Sequence, residues 1–172
     1  MLRKIIVTIF ILLCFILQCS VFNHLSFAGI IPNLMIILTS SFGFMKGEKT
    51  GMIIGLFCGL LSDIFFGDVL GFYALVLMYI GFFNGKFSRI FYPEDIKLPL
   101  ALITVSDISY GFICYVFLFL LRGQLSLPYY FVKIILPEGI YTIVVTMFLY
   151  PVILKINSLL ETREKRSAQK FV

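Results

Sequence analysis

Three carboxylates interrupt stretches of chain that are otherwise apolar: Asp63 within GMIIGLFCGLLSDIFFGDVLG, Asp107 beside Ser106 and Ser109, and Glu138 after Pro137. An acid held in hydrocarbon costs about 3 kcal/mol, so it is either paired or in use. Three uses suit such groups. Two like carboxyls can share a proton, as in an aspartyl protease; they can hold a cation or solute; or they can relay protons. The protease pattern Gly-x-Gly-Asp is missing, because Leu61-Ser62 precedes Asp63. A Gly-x-Ser-x-Gly elbow, a His-Glu-x-x-His helix and a phosphate-cradling loop are missing too. The expectation is a protein that is not an enzyme, with no catalytic residue, cofactor or metal. Asp63 reads as a residue that caps and crosslinks neighbouring helices through Tyr or Ser hydroxyls. Asp107 stands between that role, through Ser106 and Ser109, and a ligand-binding one.

The segment around Asp63 sets the frame for the rest. Gly51, Gly55, Gly59, Asp63, Gly67 and Gly71 recur every fourth residue, and a ladder of small residues lets two helix backbones approach closely in lipid. Each step of four advances about 40° around a helix. The first three rungs therefore form one groove, the last two drift off it, and the helix ends near Gly67 with Gly67-Asp68 as a tight turn. Asp63 lies about 18 Å along this helix and Asp107 about 14 Å along its own, while Glu138 sits near the outer surface. Gly81 and Gly85 allow a second close contact.

Elements that hold these residues must lie in a membrane. With 60% hydrophobic and 13% charged residues and a mean hydropathy of +1.05, there is too little polar surface for a water-soluble domain. Windows near the roughly 20 apolar residues of a span fall at 5–22, 30–45, 51–66, 70–83, 98–121 and 131–154, so the fold class is all-α, a polytopic bundle of six transmembrane helices over residues 1–154. The polar stretch 155–172 reads as a frayed, basic cytoplasmic tail. The first window exceeds the core of a secretory signal, and although Ser26-Phe27-Ala28 offers a small-residue site, an uncleaved helix is expected. Gln18 ahead of Cys19 is too large for a lipoprotein site. His24 reads as a solvated loop residue. Pro32 and Asn33 open the second window, with proline in the first helical turn. Phe91-Tyr92-Pro93 reads as an interfacial anchor and turn. Cys14, Cys19, Cys58 and Cys114 lack zinc or dithiol spacing and read as small packing residues.

Orientation follows from the basic residues. With the N-terminus in the cytoplasm, Arg3, Lys4, Lys46, Lys49, Lys86, Arg89, Lys97, Lys155, Arg163, Lys165, Arg166 and Lys170 fall inside, twelve of the 14 Lys and Arg, and only Arg122 and Lys133 fall outside. This obeys the positive-inside rule at every connection. Both termini are expected in the cytoplasm. The net charge of +5 then reflects topology and attraction to anionic lipid, and implies no nucleic-acid partner.

Read in order, Leu17-Gln18, Ile31-Pro32-Asn33-Leu34, Gly55 with Gly59-Leu60-Leu61-Ser62-Asp63, Gly67, Leu70-Gly71, Ala74-Leu75, Gly81 with Gly85, and Pro137-Glu138-Gly139-Ile140-Tyr141 resemble the MreD family of rod shape-determining proteins over nearly the whole chain. The sequence departs from the family at Thr142, where many members carry asparagine. The resemblance implies a bacterial inner-membrane scaffold of the cell-elongation, or rod, complex. Such a protein acts with the bitopic MreC, the actin-like MreB filament, and the glycosyltransferase RodA with its penicillin-binding transpeptidase partner, in lateral peptidoglycan synthesis. The glycines named above and Asp63 would then serve helix packing or a partner interface, with Gln18, Pro32, Asn33, Asp107, Glu138 and Tyr141 as intramembrane polar positions. The alternative is the substrate-binding S-component of an energy-coupling-factor vitamin transporter, whose architecture the family is thought to share. It would gather Asp63, Glu138, Arg122 and Tyr129 around an outward pocket, but the first helix lacks the Ala-x-x-x-Ala docking pattern of those subunits.

Overall fold

Helix α3, Leu34–Lys46, is the hub of the molecule: every residue from Leu34 to Met45 is buried. At 1.5 Å per residue it is about 20 Å long, shorter than a hydrocarbon core of about 30 Å, and it is walled by protein on all sides. In this computed structural model, which describes residues 2–24, 26, 29–67, 69–90, 96–119 and 127–169, α1 (Leu2–Cys19) and the short α2 (Val21–His24) precede α3. After it come α4 (Glu48–Phe66), α5 (Phe72–Lys86) with a 3-10 turn at Phe87–Ile90, and α6 (Lys97–Cys114), which widens into a π turn at Tyr115–Phe119. The short α7 (Leu127–Tyr130), a second π turn at Phe131–Ile135 and α8 (Leu136–Gln169) complete it. Among the described residues Glu48–Phe66, Lys97–Leu118 and Pro128–Glu164 are long and apolar enough to cross a membrane. The chain is an all-α membrane protein. The core joins Ile11, Cys14 and Phe15 of α1 to α3, Cys58 of α4, Leu77 of α5, Ile103 of α6 and Ile153 of α8.

Several boundaries differ from the sequence expectation for physical reasons. Pro32 is not in the first turn of α3; Asn33 is the N-cap, and its Oδ1 accepts from Ile36 N at 3.2 Å, so the proline ring stays outside the helix. Gly47, at φ +91°, is both the C-cap of α3 and the N-cap of α4, a reversal through a single left-handed residue open to glycine. Leu70 lies in the turn before α5 rather than in the helix. The chain does not fray after Leu154, since α8 runs unbroken to Gln169. Its C-terminal half is tied back: Arg3 of α1 donates to Glu164 at 3.0 Å and to Asn157 at 3.2 Å, and Lys46 of α3 pairs with Glu161. The second half of the expected turn at Gly67-Asp68, the Phe27-Ala28 site, the Phe91-Tyr92-Pro93 anchor, the end of the fifth window, Arg122 and the last residues of the tail lie outside the described residues.

Candidate functional site

The glycine ladder resolves into four jobs. Gly51 of α4 faces Gly81 of α5, and a Cβ added to either would strike the other's carbonyl. Gly55 lies against the Leu77 backbone, Gly59 against Ala74 and Gly85 against Glu48. Gly43 of α3 joins the seam, its added Cβ falling 2.7 Å from the Gly81 oxygen. This is backbone-on-backbone contact, which small residues permit in lipid. Farther along, Asp63 supplies a cap, Gly67 is the C-cap of α4 in extended backbone with its N–H donating to Asp63 O at 3.0 Å, and Gly71 takes φ +97° at the N-cap of α5 with open space around it.

Asp63 stays on the seam, in line with the first three rungs. It is 1% exposed, because a partner helix inclined along an i, i+4 row follows the drift of that row. It meets backbone donors where Tyr or Ser hydroxyls were expected. Its two carboxylate oxygens accept the backbone N–H groups of Tyr73 at 2.8 Å and Ala74 at 2.9 Å. These are the second and third residues of α5, the donors an N-cap side chain ordinarily satisfies, and the N-cap here is a glycine with no side chain to offer. Phe72 N and Leu75 N reach Val69 O at 3.5 Å and Gly71 O at 3.0 Å. Every N–H of the first turn is thereby accounted for, with an anion at the positive end of the helix dipole.

The start of α3 is closed from three sides. Asn33 caps its own helix, Gln18 of α1 accepts from Leu34 N at 3.0 Å, and Thr142 of α8 accepts from Asn33 N at 3.2 Å. Thr142, read from the resemblance as a departure, therefore sits on a working contact: its hydroxyl oxygen takes the N–H that would otherwise be orphaned. The Thr142 hydroxyl also faces the Asp107 carboxyl, and the Asn33 side chain faces Glu138. Asp107 and Glu138 are thus brought to one end of α3, between α6 and α8, and Gly139 lies opposite Asp107 with room for a Cβ at 3.7 Å from Oδ2. Ser106 and Ser109 are not partners of Asp107. Ser106 accepts from Asn84 Nδ2 at 2.7 Å and Ser109 donates to Val105 O at 2.7 Å, since neighbours on a helix point about 100° apart. Tyr141 sets its ring against the edge of Phe22, centroids 6.2 Å apart. Tyr129, expected in the transporter pocket, is 63% exposed.

Gln18, Thr142 and Asn84 act here through hydrogen bonds between different helices; the sequence marked Gln18 as a polar position and Thr142 as a departure from the family, and did not mark Asn84. A polar residue at the edge of an apolar window was the available signal for Asn84. Among the described residues no group of three or more His, Cys, Asp or Glu side chains could hold a metal ion. No curated protein and no solved structure matches the chain. A family model described as rod shape-determining protein MreD matches residues 1–159, which takes in both capped helix starts, the seam and the carboxylates of α6 and α8. The chain belongs to the MreD family of rod shape-determining proteins.

Proposed function

We propose that this protein is a non-enzymatic scaffold of the rod complex in the bacterial inner membrane, binding MreC and supporting lateral-wall peptidoglycan synthesis. The family match over residues 1–159 carries this reading. The seam gives it a physical form. Because Gly51, Gly55, Gly59 and Gly81 bring α4 and α5 into backbone contact, the hairpin is stiff, and its outward faces can receive another span by close packing and a few hydrogen bonds, the forces that join helices in lipid. In this reading the chain crosses the membrane six times with both termini in the cytoplasm. The basic end of α8 and the connection from Lys86 to Lys97 face the MreB filament and anionic lipid. RodA and its transpeptidase partner are met through helix faces, and nucleic acid has no part.

Depletion in the native bacterium, with rescue from a plasmid, tests it. Depleted cells should round up, wild type should restore rod width and recovery of tagged MreC, and Gly59→Leu, which drives a side chain into Ala74, should restore neither. Normal rods after depletion, or unchanged MreC recovery with Gly59→Leu, would sink the proposal.

A further inference from the structure

The face of α5 that looks away from the glycine seam stands apart from α6. Between the two helices runs a groove of about 960 Å³, walled by Leu75, Tyr79 and Phe83 on α5 and by Val105 and Ser109 on α6. It extends from Phe72 to Phe87 along α5 and from Leu102 to Phe117 along α6, about 22 Å on either wall. That is most of a hydrocarbon core of about 30 Å and longer than the half-thickness open to an acyl chain confined to one leaflet.

The groove is apolar except for a short polar stretch at Asn84, Ser106 and Ser109. Asn84 is 4% exposed; its Nδ2 donates to Ile80 O at 2.9 Å and to Ser106 Oγ at 2.7 Å, and its Oδ1 has no hydrogen-bond partner. Ser109, on the α6 wall, uses its proton on Val105 O and keeps lone pairs to offer. Ser109 thus offers an acceptor to the groove, and Asn84 Oδ1 lies buried and unpaired beneath its surface. A buried acceptor left unpaired is costly in hydrocarbon, and a lipid tail has no donor to give it.

Resting on the scaffold reading above, we propose that the α5–α6 groove seats the single transmembrane helix of the partner, an apolar span with a hydrogen-bond-donating side chain at the level of Asn84 and Ser109. The glycine seam is then the back of the site: it holds α5 from behind so that the opposite face keeps its shape.

The test uses the full chain in its own bacterium with affinity-tagged MreC as the probe. The photo-crosslinker p-benzoylphenylalanine replaces Tyr79 or Phe83 in the groove, or Phe57 of α4 or Phe148 of α8 as controls; all four are exposed aromatic positions, at 51%, 56%, 54% and 76%, so the replacement is like for like. Crosslinks to MreC should be at least tenfold stronger from Tyr79 and Phe83. Ser109→Trp, which fills the groove, should lower MreC recovery about tenfold while the protein's abundance holds. If MreC is recovered but crosslinks from Phe57 or Phe148, or if the groove positions capture only a second copy of this chain or lipid, the groove assignment is wrong while the scaffold reading stands. If unmodified protein recovers no MreC, both fall.

Discussion

The starts of α3 and α5 are both closed by side chains from outside the helix, yet the chemistry and the reach differ. At α5 a single carboxylate, Asp63, takes two N–H groups across sequence gaps of 10 and 11 residues. At α3 the work is shared among neutral groups, Asn33 itself, Gln18 at a gap of 16 and Thr142 at a gap of 109. The first cap is completed within one helical hairpin. The second exists only when α1, α3 and α8 have all come together. A charged acceptor facing a helix N-terminus makes a stronger bond than a neutral one, so the hairpin is locked by one strong local contact and the hub helix by several weaker distant ones. The difference suits a bundle in which α4 and α5 form a rigid unit and α3 is secured when the remaining helices close around it.

Breaking the local cap should have the largest effect. Asp63→Ala leaves two N–H groups without acceptors at about 1–3 kcal/mol each, and unfolding of the purified protein by SDS titration in micelles should show a loss of ~4 kcal/mol. Asp63→Asn keeps one acceptor oxygen and should recover part of it; full recovery would mean that the charge contributes nothing. Next comes the distant cap. Thr142→Val removes the acceptor for Asn33 N and the hydroxyl facing Asp107, for a loss of ~2 kcal/mol in the same assay. Thr142→Asn should be tolerated because its amide oxygen can take the same N–H; a variant as damaged as the valine would show that the hydroxyl is needed for itself. Smallest should be Gln18→Leu, which unpairs one N–H at a half-buried site for ~1 kcal/mol. Were it to exceed Asp63→Ala, the contrast between the two helix starts would be reversed.

Composition and spacing were enough for much of this. Scarcity of charge placed the chain in a membrane, because a surface cannot be covered without polar groups. The four-residue recurrence of Gly51, Gly55 and Gly59 marked a helix-packing seam, because small side chains at that interval leave a backbone bare along one side. The order of motifs from Pro32 to Tyr141 carried the family. What the same letters left open were the partners. Asp63 was legible as an acid that caps a neighbouring helix, but neither the helix nor its backbone donors were, since its acceptors find those donors only where α4 lies against Gly71 to Ala74. Asp107 could not be separated from Ser106 and Ser109 until the helix turned them toward different neighbours, and Thr142 read as a departure from pattern until Asn33 stood beside it. Local composition determines which segments become helices in lipid, because the backbone must satisfy its own hydrogen bonds there. The N–H groups at the helix starts cannot be satisfied that way. Which side chain reaches them depends on how the helices approach, and the tertiary structure alone decides that.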